Sequence, residues 1–196
     1  MLAKIYSAAV YGVDAYEVEI EVNAGPGKPV MVIVGLPDVA VKESRDRVWT
    51  AIANSGYRAS RKRTTINLAP ADIKKEGPSF DLPIALGMVA VAEELNTSAL
   101  DKFSFVGELA LDGSVRPTKG VLPVALEARR RGKQALFVPA ANALEAAMVN
   151  KIDITASKTC GRPFSFFAAK FRCFRRAVIS PDFLQRIKPT MSILRT

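Results

Sequence analysis

The sequence predicts an α+β domain, a two-layer sandwich in which a mixed sheet carries helices on one face. Three observations predict it. Residues 16–22 alternate Glu17, Glu19 and Glu21 with Val18, Ile20 and Val22, the period of a strand with one wet and one buried face. Residues 38–55 place Val41, Val48 and Ile52 at helical spacing among charged residues. Residues 81–95 are apolar almost throughout, which suits a helix buried on most sides.

The remaining elements follow in order. Residues 3–10 read as a strand that turns through Gly12 and Asp14 into the alternating one. Gly25, Pro26, Gly27 and Pro29 make a loop, and the apolar run at 30–34 suits a central strand, with Val32 and Val34 buried. Asp38 caps the first helix and Gly56 ends it. Residues 64–68 are a short strand, and Ile84 and Leu86 of the apolar helix belong to the core. Residues 103–111 and 114–116 form a hairpin turning at Asp112-Gly113. A helix over 121–131 ends at Gly132. A strand at 135–138, a short helix capped by Asn142 and a last strand at 152–155 complete the domain.

Composition narrows the chemistry. The chain has 196 residues, no histidine and two cysteines, Cys160 and Cys173. That removes Ser-His-Asp triads, Cys-His dyads, histidine-ligated zinc and a disulfide framework. No apolar run is long enough to span a membrane and none resembles a secretory leader, so the reading is cytoplasmic. The net charge of +9 is uneven. Residues 1–157 hold 19 Lys/Arg against 18 Asp/Glu, and residues 158–196 hold 9 against Asp182 alone. Six of the ten phenylalanines also lie in that last stretch. The chain therefore divides into a domain at 1–157 and a basic, phenylalanine-rich tail at 158–196.

No phosphate-binding loop is present. Gly27-Lys28 and Gly132-Lys133 are followed by Pro29 and Gln134 where Ser or Thr is needed, and Gly25-Pro26-Gly27 lacks the third glycine of a dinucleotide fingerprint.

Three stretches are more specific: VGLPDVAVKESRDRVWTAIANSGY (34–57), TINLAPADIKKEGPSFDLPIALG (65–87) and FVGELALDGSVRPTKGVLPVALEARRRG (105–132). Together they resemble the N-terminal domain of the magnesium-chelatase-like (ChlI-like) AAA+ family, of the competence-protein type, across about residues 3–157. The resemblance implies the ribosomal protein S5 domain 2-like fold, shared with the proteolytic domain of Lon. It implies a domain that precedes an ATPase module in hexameric machines that migrate DNA branches during natural transformation. ATP and Mg would belong to that module, so no cofactor is expected in this chain. The implied partners are the AAA+ module, further copies of the chain, and DNA.

The Lon likeness places Ser79 of EGPSFDLP (76–83) where Lon carries its nucleophile. A Ser–Lys dyad needs a lysine in reach of the hydroxyl. VRPTKGVLPV (115–124) aligns with the segment that supplies it, but the lysine position falls on Leu122, and Lys119 lies three residues earlier. Two readings of Ser79 follow, a peptidase nucleophile paired with Lys119 or a residue that orders the turn before the apolar helix. The leucine favours the second.

Asp72, Lys74, Lys75 and Glu76 read as a solvated loop, with contact to a neighbouring domain as the alternative. Arg129, Arg130 and Arg131 end a helix, where cations meet its dipole, and are also candidate DNA contacts. Arg172, Arg175 and Arg176, set among phenylalanines, are further candidates for stacking and phosphate contact. The abrupt change of composition after Ser157 reads as an altered or truncated frame rather than the family's continuation. Three functions are therefore set side by side: a non-catalytic assembly domain, a Lon-like peptidase, and a nucleic-acid-binding module acting through the tail.

Overall fold

A computed structural model describes residues 1–95, 97–161 and 163. Strand β1 (Leu2–Tyr11) turns at Gly12 into β2 (Asp14–Gly25). Strand β3 (Met31–Val34) leads into helix α1 (Val39–Asn54), which returns to β4 (Arg63–Ala69), and helix α2 (Asp81–Ala92) follows. The strands form a mixed sheet in the order β1-β2-β4-β3, antiparallel except for β3 against β4.

Strand alternation and register decide what this sheet buries. Ala3 pairs with Val22 and Ile5 with Ile20, and these two β2 residues pair with Ile66 and Leu68. All six are fully buried and pack with α2 in one core. The intervening residues Lys4, Glu19, Glu21 and Asn67 face the other way and bond to one another, Lys4 reaching Glu19 at 2.7 Å and Asn67 reaching Glu21 at 3.0 Å. Helix α2 is buried from Asp81 through Val91, as its apolar composition predicts.

The second half builds β5 (Phe103–Phe105), a small hairpin of β6 (Glu108–Leu109) and β7 (Val115–Arg116), helix α3 (Val121–Arg130), β8 (Ala135–Pro139), helix α4 (Ala143–Ala147) and β9 (Asp153–Ser157). Strands β5-β8-β9 form a parallel sheet. Phe105 stacks on Phe137 with centroids 4.8 Å apart and joins the main core. Val121, Val124, Leu136 and Val138 make a second core with Ala8 at the turn end of β1.

Four local expectations are corrected. The apolar run at 30–34 is an edge strand, not a central one. Its register puts Val32 and Val34 opposite Thr65 and Asn67 on the polar face, so Val34 stays 42% exposed and Val32 is only half-buried. The strand expected at 103–111 breaks in two, because the Gly107 N–H donates to the Ser79 carbonyl and the Gly107 carbonyl accepts from Leu82 N–H. These bonds tie 107 to the start of α2 instead of a ladder. Asn142 stands before α4 but its side chain does not cap it. Its amide instead clasps both backbone groups of Thr118, at 2.9 and 3.0 Å. Helix α2 ends at Ala92, earlier than the expected Leu95.

Strand β9 ends at Ser157, where the change in composition begins, and packing continues beyond it. Val115 N–H donates to the Lys158 carbonyl, Cys160 N–H donates to the Gly113 carbonyl, and Cys160 is fully buried. The rest of the basic tail, with Arg172, Arg175 and Arg176, lies outside the described residues.

Candidate functional site

Ser79 sits in a single 3-10 turn, Pro78–Phe80, entered through Gly77 at φ 80°. A positive φ of that kind suits glycine. Phe80 is fully buried, which anchors the turn, and the Ser79 carbonyl accepts from Gly107 at 2.9 Å. Ser79 itself is half-buried. Lys119 is exposed on the turn before α3. Leu122 is half-buried against the second core, and its N–H donates to Glu145 Oε1 at 2.9 Å. Among the described residues no hydrogen bond or ion pair joins Ser79 to Lys119.

Two residues beyond Ser79 the chemistry is denser. Asp81 is fully buried at the start of α2. Arg47 of α1 approaches it with two nitrogens, Nε at 2.9 Å from Oδ2 and Nη2 at 3.2 Å from Oδ1. Ser44 donates to Oδ1, and the Leu109 N–H donates to Oδ2 at 3.2 Å. Burial pushes the Asp81 carboxyl above its usual range, against the opposing pull of Arg47 and Ser44. The hydrogen bond to Asp81 holds the Arg47 guanidinium above its ordinary value. A bidentate pair of this kind is directional. It fixes α1, α2 and β6 to one another.

The loop at 72–76 differs from the solvated loop expected. Asp72, Lys74 and Glu76 are exposed, but Lys75 is fully buried. Its ammonium donates to the carbonyls of Pro70 and Ile73, and burial pushes its pKa down. Lys75 also bonds through its backbone to Leu36 and Asp38, while Asp38 caps α1 at Val41 and takes the Gly77 N–H at 3.1 Å. The segment before Ser79 is thereby fixed from within.

The arginine run divides. Glu127 is 4% exposed and holds Arg130 Nε at 2.5 Å and Arg131 Nε at 2.9 Å. Arg129 has no ion pair among the described residues. An open groove of about 630 Å³ lies between the β1–β2 turn and α3, where Asp14 and Glu127 line it together with Arg129, Arg130, Val13 and Leu126.

Sequence reasoning missed the Asp81–Arg47 pair. Its signal was a lone acid inside an apolar stretch, between Phe80 and Leu82. It placed Lys75 in a solvated loop and so missed its burial, and it missed Lys133, which reaches Glu17 at 2.7 Å and lies over the Tyr6 ring at 3.7 Å. Among the described residues there is no acidic or cysteine cluster fit to hold a metal, and no helix long and apolar enough to cross a membrane.

Residues 20–142 match the family described as subunit ChlI of Mg-chelatase. The chain belongs to that family. Within it, the chain is 48% identical over 149 residues to competence protein ComM of Haemophilus influenzae, covering 76% of this chain and 29% of that one. It is 46% identical over 150 residues, with the same coverage, to the protein YifB of Salmonella typhimurium. A weaker likeness, 28% over 174 residues, runs to Lon protease 2 of Bacillus subtilis, covering 77% of this chain and 30% of that one. The ChlI-family chain described here thus spans about three-tenths of the length of these relatives.

Proposed function

We propose that this chain is a non-catalytic assembly and interaction domain of a magnesium-chelatase-like ATPase of the ComM type, acting with an ATPase module on branched DNA. The observation that carries the reading is how the segment around Ser79 is held. The charged residues there lie in structural contacts: Asp81 with Arg47, Lys75 with loop carbonyls, and Asp38 with α1 and Gly77. These contacts give a rigid frame rather than a nucleophile with a base. Leu122, where the Lon likeness implies a lysine, packs partly buried against the second hydrophobic core. The absence of a P-loop from the sequence supports the same reading for nucleotide chemistry.

Binding in trans tests it. The full chain, mixed with a ComM-type protein lacking its own N-terminal domain, should co-purify with it and alter its ATP turnover. Failure of both would defeat the proposal. The purified chain should neither hydrolyse ATP nor cleave peptides. Labelling of Ser79 by a serine-directed covalent inhibitor, abolished by Lys119→Ala, would favour the peptidase instead.

A further inference from the structure

The outer edge of β3 carries unpaired backbone beside a concentration of unpaired cations. Strand β3 pairs with β4 on one side and with no strand on the other. Thr64 N–H donates to the Val30 carbonyl at 2.8 Å. The two-residue period of a strand then turns the backbone groups of Val32 and Val34 toward β4 as well, and those of Met31 and Ile33 outward. No hydrogen bond reaches these outward groups among the described residues. Residues 31–34 hold no proline and no charge, the usual guards of a strand edge. Val30 and Val34, 41% and 42% exposed, flank the half-buried Val32 in an apolar row on the polar face of the sheet.

The charge lies at the N-terminal end of this edge. Lys28 stands in the loop before β3, and Arg58, Arg61, Lys62 and Arg63 lead into β4. The two stretches touch, since a Cβ on Gly27 would lie 3.4 Å from Arg63 Cβ. All five cations are exposed, and none is in an ion pair among the described residues. Residues 22–37 and 48–71 contain no Asp or Glu, so nothing within either stretch balances them.

We infer that this edge receives an extended acidic segment of another polypeptide, which adds to the sheet beside β3. Its backbone pairs with Met31 and Ile33, its carboxylates lie over Lys28, Arg61 and Lys62, and its apolar side chains cover Val32 and Val34. Each part of the surface then has a partner. A nucleic acid would meet the cations but leave the outward backbone groups and the valines uncovered. The chain's own residues 164–196 carry seven Lys/Arg against Asp182 alone, the wrong sign for this site. The inference is independent of the assembly reading, because its test involves no ATPase protein.

Two fluorescein-labelled peptides serve as probes, Asp-Asp-Glu-Val-Thr-Val-Thr-Val and the same residues in reverse order, one for each strand direction. Fluorescence anisotropy with the full chain should show binding of one of them. Arg61→Glu with Lys62→Glu, both on exposed positions, should weaken it about tenfold or more. N-methylation of alternate peptide nitrogens, tried on each of the two sets, should weaken it to a similar degree for the set that faces β3, because the charge stays and the strand donors go. In the isotope-labelled chain, the amides of Met31 and Ile33 should gain protection from hydrogen exchange on binding. Absence of binding up to about 1 mM peptide overturns the inference. So does binding indifferent to the double reversal, which would place the peptide on the basic tail, or indifferent to N-methylation of either set, which would make the contact one of charge alone. A single-stranded oligonucleotide that displaces the peptide and is itself weakened by the double reversal would assign the cations to nucleic acid instead. Protection of Met31 and Ile33 that rises with protein concentration in the absence of peptide would assign the edge to a second copy.

Discussion

Asp81 and Lys75 show how far a charged residue's role depends on what surrounds it. Asp81 is fully buried and the Arg47 beside it is partly exposed, so removing Arg47 leaves a buried carboxyl without its partner. Arg47→Leu should therefore destabilise the fold by about 3–5 kcal/mol. Replacing both partners together, Arg47→Leu with Asp81→Leu, should recover much of that loss, as equilibrium denaturation of the four-member cycle would show. Lys75 gives a pH-dependent signature. Burial lowers its pKa, so between that lowered value and the ordinary 10.5 the unfolded chain holds a proton the folded chain has released. Stability contributed at this site thus rises with pH across that window. Lys75→Met should flatten the rise, and denaturant midpoints measured from neutral to alkaline pH for both proteins would reveal it.

At the scale of elements, helix α2 and the sheet set the limits. Gly87 faces β2, and a Cβ there would come 2.5 Å from Val22 Cγ2 and 3.4 Å from Ile5 Cγ1. In an exposed helix, glycine to alanine would add up to about 1 kcal/mol of stability. Here the clash with Val22, a fully buried β-branched residue of the sheet, outweighs that gain, so Gly87→Ala should lower stability, by thermal or denaturant unfolding. A midpoint above wild type would mean that α2 can lift from the sheet at little cost. Element boundaries were legible where side chains of the element itself set them. Asp38 caps α1 as its sequence says, and Gly56 follows it at φ 78°. They were not legible where distant backbone set them. Gly107 breaks its strand because Ser79 and Leu82, far away in sequence, claim its backbone groups.

Charge is a property of the whole molecule. The net charge of +9 comes almost entirely from residues 158–196, while residues 1–157 are nearly neutral. Duplex DNA binding by the full chain should be mainly to phosphate and should weaken with salt at a log–log slope of about −0.9 per phosphate contacted. A chain ending at residue 163 should lose most of that binding, measurable by fluorescence anisotropy over a salt series. Retention of salt-dependent binding would move the DNA surface to the folded domain, where Arg129 and its neighbours are the first positions to mutate.

The sequence by itself determined the class of fold, the α2 core, the hairpin at Asp112-Gly113 and the family, because periodicity, turn residues and contiguous motifs are local patterns. The tertiary structure alone decided that the valines of β3 lie at an edge, since an apolar run reads the same whether one neighbour or two pair with it. It alone decided that Lys75 is buried, since only chain closure brings the Pro70 and Ile73 carbonyls around its ammonium. It alone joined Asp81 to Arg47, 34 residues earlier, because a lone acid in an apolar stretch marks one member of a pair and says nothing of where its partner lies.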